Sequence, residues 1–339
     1  MAAKQSTKAE AWVLFDRIVA LAAPGGVHSN PWVKNTNGQL SFEPDYKTLV
    51  QLLGVPLYLK AETQSGVPAL ALDVWLSYEL RRAGFDPDQV WPRPVHPRIL
   101  PAPIAALVKS LPTGTRATVV DRLKKQASIP GVTSSSASIL GKNYLKQVDV
   151  IMTDWATGPE LLISTKRMDS SYGKNAPNRI EESYGDAKNL RLRHPLAALG
   201  FVFGLRSDIL QKEPGTAAWL FDLLAKLGRE DDAYHATCVV LMDYSNDAGI
   251  LDTGEEAHGE GVPEPGLELD NEDDLPVPAP ESDVDCEIAR LPKVVIVEEQ
   301  TPEDLAPSRF LSAMVNRVLA ATPVNMHVAA RARRASPEL

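Results

Sequence analysis

Cysteine is scarce in this chain: 339 residues contain two, Cys238 and Cys286, too few for a disulfide framework or a four-cysteine zinc site. No stretch approaches the roughly 18 consecutive apolar residues of a membrane span. The first apolar segment, 12–23, is broken by Asp16 and Arg17 and makes a poor signal peptide. A cytoplasmic protein with no membrane partner is therefore expected. The histidines His28, His96, His194, His235, His258 and His327 lack the HExxH and paired-histidine spacings of zinc centres. A Walker A loop, a GxGxxG after a strand and a GxSxG elbow are also missing, which sets aside P-loop, dinucleotide and α/β-hydrolase chemistry.

Basic residues are absent from one long stretch. Residues 252–287 hold six Asp and eight Glu with no Lys, Arg or aromatic residue, and Pro263, Pro265, Pro276, Pro278 and Pro280 punctuate them. Such a composition cannot bury enough apolar surface to offset the entropy of ordering, so an acidic disordered insertion is expected. It carries −14, which leaves +5 on the rest of a chain whose total is −9. A mildly basic folded part permits a polyanionic partner.

What is present reads as alternating helices and strands. The spacing of Trp12, Phe15, Ile18 and Val19 predicts a helix over 8–22, stopped by Pro24, Gly25 and Gly26. A short helix over 46–53 and a stronger amphipathic one over 70–83, ending at Gly84, come next. Helical segments over 104–111 and 116–126 follow a stiff connector at 92–97. β-Branched residues predict a strand over 147–153, a turn at Thr157, Gly158 and Pro159, and a second strand over 160–168, together a hairpin. After a polar loop come a charged helix over 179–193, strands over 196–205, 235–244 and 293–298, and helices over 217–227 and 303–321. This order predicts an α/β fold with a central mixed β-sheet flanked by helices. The expected organisation is a helical N-terminal region over 1–69 for recognition or dimerisation and an α/β core over 70–251. The acidic insertion over 252–287 and a C-terminal strand, helix and basic tail over 288–339 complete it.

Chemistry concentrates on the predicted hairpin. Asp149 lies inside its first strand, sharing a face with Gln147 and Ile151. Lys166 lies near the end of the second, on one face with Ser164. Pairing brings carboxylate and ammonium together. A carboxylate suits Mg²⁺, a hard cation that takes oxygen ligands. A nearby lysine can position or deprotonate an attacking water and offset phosphate charge. Together they suit metal-assisted phosphodiester hydrolysis.

With these residues and this element order, the segment 70–244 resembles the PD-(D/E)XK, or restriction-endonuclease-like, nuclease superfamily. Asp149 matches the first acid of the family motif and Lys166 its lysine, while Ser164 stands where most members have Asp or Glu. In one branch of type II restriction enzymes the second strand reads S-x-K and the missing acid comes from the following helix. Here Ser164-Thr165-Lys166 is followed by Glu181 and Glu182. The resemblance therefore implies Asp149 with Glu181 or Glu182 as Mg²⁺ ligands, Lys166 assisting the water, and Glu79 as a supporting acid on the first core helix. It implies a restriction or phage-defence endonuclease acting on double-stranded DNA. A homodimer is expected for double-strand cleavage, with a methyltransferase or other defence subunit as the companion such a setting implies. Lys174, Asn175, Asn178, Arg179, Lys188 and Arg191 are the expected DNA contacts, since Arg and Asn form bidentate bonds with guanine and adenine.

Simpler readings stand beside these. An Asp–Lys pair across a hairpin is also a common salt bridge. Acids near a helix start stabilise it regardless of function, and Glu79 can pair with Arg82 three residues on. Cys238, inside an apolar strand, reads as a core residue. Ser164 in the acid position also motivates a catalytically inactive nuclease-like DNA-binding module, and the acidic stretch motivates an interaction scaffold.

Overall fold

A computed structural model describes residues 6–34, 38–125, 129, 132–133, 137–231, 233–245 and 280–337. The acidic stretch at 252–279 lies outside the described residues. In chain order the elements are α1 (Thr7–Ala22), β1 (Trp32–Lys34), β2 (Leu40–Phe42), α2 (Tyr46–Tyr58), α3 (Val67–Arg82) and β3 (Val90–Trp91). Then come α4 (Ala102–Ser110), α5 (Thr113–Lys125), β4 (Ser138–Leu140), β5 (Leu145–Gln147), β6 (Val150–Asp154), β7 (Gly158–Met168) and α6 (Tyr172–Arg191). The chain continues through β8 (Ala198–Arg206), α7 (Ile209–Lys212), α8 (Pro214–Leu227) and β9 (Ala236–Tyr244). It closes with α9 (Glu281–Ile288), β10 (Val294–Ile296), α10 (Pro307–Ala321) and α11 (Val328–Ala335).

Local chemistry sets the helix ends. Ser6 caps α1 by accepting the Ala9 amide at 3.1 Å, and Asp45 caps α2 through the Thr48 amide at 3.0 Å. Gly66, at φ 70°, turns the chain into α3, whose Pro68 occupies the first turn, where no amide donor is needed.

Six strands form a mixed sheet in the order β10-β9-β8-β7-β6-β3. The β3–β6 and β6–β7 pairs are antiparallel, β7–β8 and β8–β9 are parallel, and β10 closes the far edge antiparallel. The parallel strands bury both faces, so they read as continuous apolar runs. Alternate residues go to two cores. Val150, Ile163, Val202 and Val240 pack with α1, α2, α3 and α10, whereas Ile151, Leu162, Phe201, Phe203 and Val239 pack with α6 and α8. Gly200 of β8 lets α10 lie close, for a Cβ there would stand 2.7 Å from the Phe310 ring. The fold is thus α/β, a helix–sheet–helix sandwich. No helix among the described residues is long and apolar enough to cross a membrane.

Several expectations change. The described residues before 70 are continuous with the sheet's core, because Trp12, Phe15, Leu49 and Leu52 share a cluster with Val150 and Ile163. The strand expected over 147–153 breaks at Val148 and Asp149, since β5 pairs with β4 and β6 with β7. The charged helix begins at Tyr172 and carries Pro177 inside it, so Lys174, Asn175 and Asn178 are helical rather than in a loop. The end of the acidic stretch, Glu281–Ile288, is helix α9. Val284 is buried against the core, and Arg17 binds Glu281 at 2.6 Å and Asp285 at 2.7 Å. A partner outside the stretch supplies the cations that its own composition lacks. Helix α11 is not foreshadowed by the spacing of apolar residues; Cys238 is buried, as expected.

Candidate active site

The site forms where β6 and β7 part. Their pairing ends at Val150 opposite Ile163, while β7 runs on to Met168 beside β8. Beyond the fork the Thr165 amide has no strand partner on the β6 side, and Asp149 Oδ2 accepts it at 2.7 Å. Asp149 is therefore a residue of the bend before β6, not a strand residue.

Alternation on β7 then divides the neighbours. Leu162 and Met168 belong to the α6 core and Leu161 and Ile163 to the α3 core, so Ser164 and Lys166 face α6 and Thr165 faces α3. The contacts agree. Lys166 Nζ lies 3.1 Å from Glu182 Oε1 of α6, and Thr165 Oγ1 donates to Asp73 Oδ1 of α3 at 2.5 Å. Ser164 is buried between Leu162 and Lys166.

Glu182 collects further cations. Lys146 of β5 lies 3.6 Å from Oε1 and Arg179 lies 3.3 Å from Oε2. Lys146 is held more tightly by Asp186, at 2.8 Å, which also accepts the Tyr144 hydroxyl at 3.1 Å. Lys166 remains about one quarter exposed while Lys146 is 12% exposed, so water and ligand reach Lys166 more readily.

Burial pushes the Asp149 carboxyl above its ordinary pKa. The Thr165 amide, Lys166 and Lys146 pull it down and Asp186 adds to the rise, but burial prevails. Asp73 is driven well above the carboxylate range, first by burial and then by the charge of Asp149, against the bond from Thr165.

Of the expected site residues, the structure brings Asp149, Ser164, Lys166 and Glu182 together. Glu181 is exposed, about 100° round the helix from Glu182. Neither sits at a helix N-terminus, because α6 starts at Tyr172. Glu79 is elsewhere: fully buried, it pairs with Arg82 at 2.7 Å and accepts the Asp45 amide at 2.6 Å. The acid of α3 that reaches β7 is Asp73, six residues earlier and roughly 240° away on the helix. Its signal in the sequence is an acid wedged between Leu72 and Val74 in an apolar run, a place that demands a buried polar partner. Asp186 was also missed, and no spacing marks it.

The expected DNA contacts spread along α6. Lys174 and Asn178 are exposed, and Asn175 is half-buried near the helix start. Arg179 points into the cluster toward Glu182. Lys188 lies near the Tyr184 ring, 6.0 Å from its centroid, and Arg191 donates to the Ala233 carbonyl at 3.4 Å.

Among the described residues, no group of three or more His, Cys, Asp or Glu is placed to hold a metal ion. What the arrangement offers is an accessible lysine between two carboxylates, with oxygen donors throughout. The chain matches no protein-family model, no curated protein and no solved structure.

Proposed function

We propose that this protein is a Mg²⁺-dependent endonuclease that hydrolyses phosphodiester bonds of double-stranded DNA, in a cytoplasmic restriction or phage-defence setting. The observation that carries the reading is the placement of Lys166, on the strand that outruns its partner, between Asp149 at the fork and Glu182 on the crossover helix. The order α3, β3, β6, β7, α6, β8, with an antiparallel meander followed by a parallel strand, supports a restriction-endonuclease-like core.

The donor chemistry fits Mg²⁺, which binds through one or two carboxylates with water and substrate phosphate completing its shell. Asp149 and Glu182 would hold it. The ion would polarise the phosphate and lower the pKa of a bound water. Lys166 orients the attacking water toward the phosphorus and offsets developing charge. Arg179, on the same carboxylate, stands ready to neutralise the substrate phosphate. Asp149, tied to the Thr165 amide, is held at the mouth of the fork. Cleaving both strands takes two sites, hence a homodimer.

Two observations favour a second reading, an inactive DNA-binding module. Glu182 already has three cationic neighbours and Ser164 stands in the acid position. The test is incubation with mixed plasmid and phage DNA in Mg²⁺ and in EDTA, beside Lys166→Ala and Glu182→Ala. Cleavage requiring Mg²⁺, Lys166 and Glu182 is the expected result; salt-sensitive binding without cleavage in Mg²⁺ would establish the module instead.

A further inference from the structure

The β4–β5 hairpin stands outside the central sheet, and its turn is fixed to α6 by backbone bonds. The Lys142 amide donates to the Asn189 carbonyl at 2.8 Å. Asn189 Oδ1 accepts the amides of Asn143 at 2.8 Å and Tyr144 at 3.4 Å, and its Nδ2 donates to the Tyr144 carbonyl at 3.1 Å. Gly141 approaches so closely that a Cβ there would stand 2.1 Å from Asn189 Nδ2. The strand behind the turn is tied as well, with His194 Nε2 2.9 Å from the Leu140 carbonyl.

This rigid turn leaves Lys142, Asn143 and Tyr144 exposed. Residues 138–147 contain no Asp or Glu. The facing part of the helix and its following turn, 183–196, contain one acid, Asp186, which is buried against Lys146. Lys188 and Arg193 there are exposed. The helix dipole favours cations at the end of α6 whatever the function, but Lys142 is on the hairpin and has no such reason. Within these two segments the exposed charges are all positive, beside the Lys166 cluster, and exposed Glu181 stands two helical turns before Lys188 on the same side of α6.

We propose that this surface binds the phosphate backbone of duplex DNA next to the cleavage position, with Lys142 of the hairpin and Lys188 of α6 as phosphate contacts. The choice of DNA rests on the nuclease reading. From Glu182 to Lys188 the helix rises about 9 Å, which spans roughly three nucleotides at 3.4 Å per strand step. The hairpin runs beside the helix, with Lys146 at Asp186, Asn143 at Asn189 and Leu140 at His194, so it would follow the DNA backbone rather than enter a groove and add affinity without choosing sequence.

The experiment is fluorescence anisotropy of the whole protein with a short labelled duplex in EDTA, over about 50 to 200 mM salt. The Lys142→Ala/Lys188→Ala double variant is expected to bind on the order of tenfold more weakly, with a log–log salt slope shallower by about 1.8, or about 0.9 for each lost phosphate contact. Unchanged affinity and slope would overturn the proposal and leave the nuclease reading intact. Wild-type binding that the double variant loses, without cleavage by either, upholds the surface and removes the nuclease reading. A wild type that ignores duplex DNA, or that polyglutamate titrates equally well, overturns the surface. Lys142→Glu, which reverses one exposed charge, should weaken binding further than Lys142→Ala.

Discussion

Asp73 and Asp149 hold the same residue from two directions, one across a face of the sheet and one along its hydrogen-bonding edge: Asp149 takes the Thr165 amide at 2.7 Å and Asp73 its hydroxyl at 2.5 Å. One acid comes from the first core helix and the other from the strand fork. Thr165 is the residue before Lys166, so the pair fixes the backbone that aims the lysine. Burial first, and then the charge of Asp149, raise the pKa of Asp73.

That coupling gives Asp73 a pH signature. Its folded pKa is raised, so the stability it contributes is complete below the unfolded value of 3.8 and is lost as pH rises through the folded pKa. Asp73→Asn keeps an acceptor for the Thr165 hydroxyl and cannot ionise. Denaturant melts at acidic and alkaline pH should show the variant gaining on the wild type as pH rises. Asp73→Ala also loses the bond and should cost about 1–3 kcal/mol where Asp73 is protonated. A pH-independent difference between wild type and Asp73→Asn would refute this account.

Glu79 offers a second window, far from the cluster. Burial lifts its pKa from 4.5 to about 7, although Arg82 and the Asp45 amide pull it down. Its contribution is therefore intact below 4.5 and fades as pH rises through about 7. A change of that size corresponds to about 3 kcal/mol. Glu79→Gln cannot ionise and does not share this loss. The variant should be less stable than wild type at pH 5, and the gap should narrow by pH 8. Urea titrations at both pH values check it.

The elements that pack by simple periodicity were legible in the sequence. The helix around Leu72 and Trp75, the hairpin strands and the apolar runs of β8 and β9 follow from spacing and β-branched content, because burial on defined faces dictates them. The breaks were not. Asp149 leaves the strand because β6 and β5 pair with different partners, a tertiary fact invisible to alternation. The charged helix expected over 179–193 begins seven residues earlier, at Tyr172, with Pro177 inside it. Asp149, Ser164, Lys166 and Glu182 could be brought together in advance, and helical phase alone did not separate Glu182 from Glu181. Asp73 and Asp186 entered only through contacts between elements distant in sequence.

Packing under α10 is tight enough to test with one methyl group. Gly200→Ala would place its Cβ 2.7 Å from the Phe310 ring and 3.0 Å from Met314. Overpacking of this kind costs about 1–3 kcal/mol, and thermal denaturation should show the loss. Gly215, near the start of α8, has nothing within 4 Å of the place a Cβ would take. Gly215→Ala should hold or slightly raise stability, since alanine is the better helix former.

The two lysines of the cluster should separate structure from chemistry. Lys146 is the more buried and sits 2.8 Å from Asp186 and 3.6 Å from Glu182. Lys146→Met would take the ammonium away from Asp186, itself nearly buried, while the Tyr144 hydroxyl stays on the same carboxylate. Stranding a buried charge is costly, on the order of 3 kcal/mol, and the melting temperature should fall. Lys166 is more exposed and reaches Glu182 alone at 3.1 Å, while Arg179 and Lys146 remain to balance that carboxylate. Lys166→Met should therefore change stability by less than about 1 kcal/mol. On the proposed mechanism it should nevertheless abolish DNA cleavage while duplex binding in EDTA persists. A Lys166→Met protein that is well folded and still cuts DNA would remove the lysine from the chemistry, and with it the reason for placing the site at this fork.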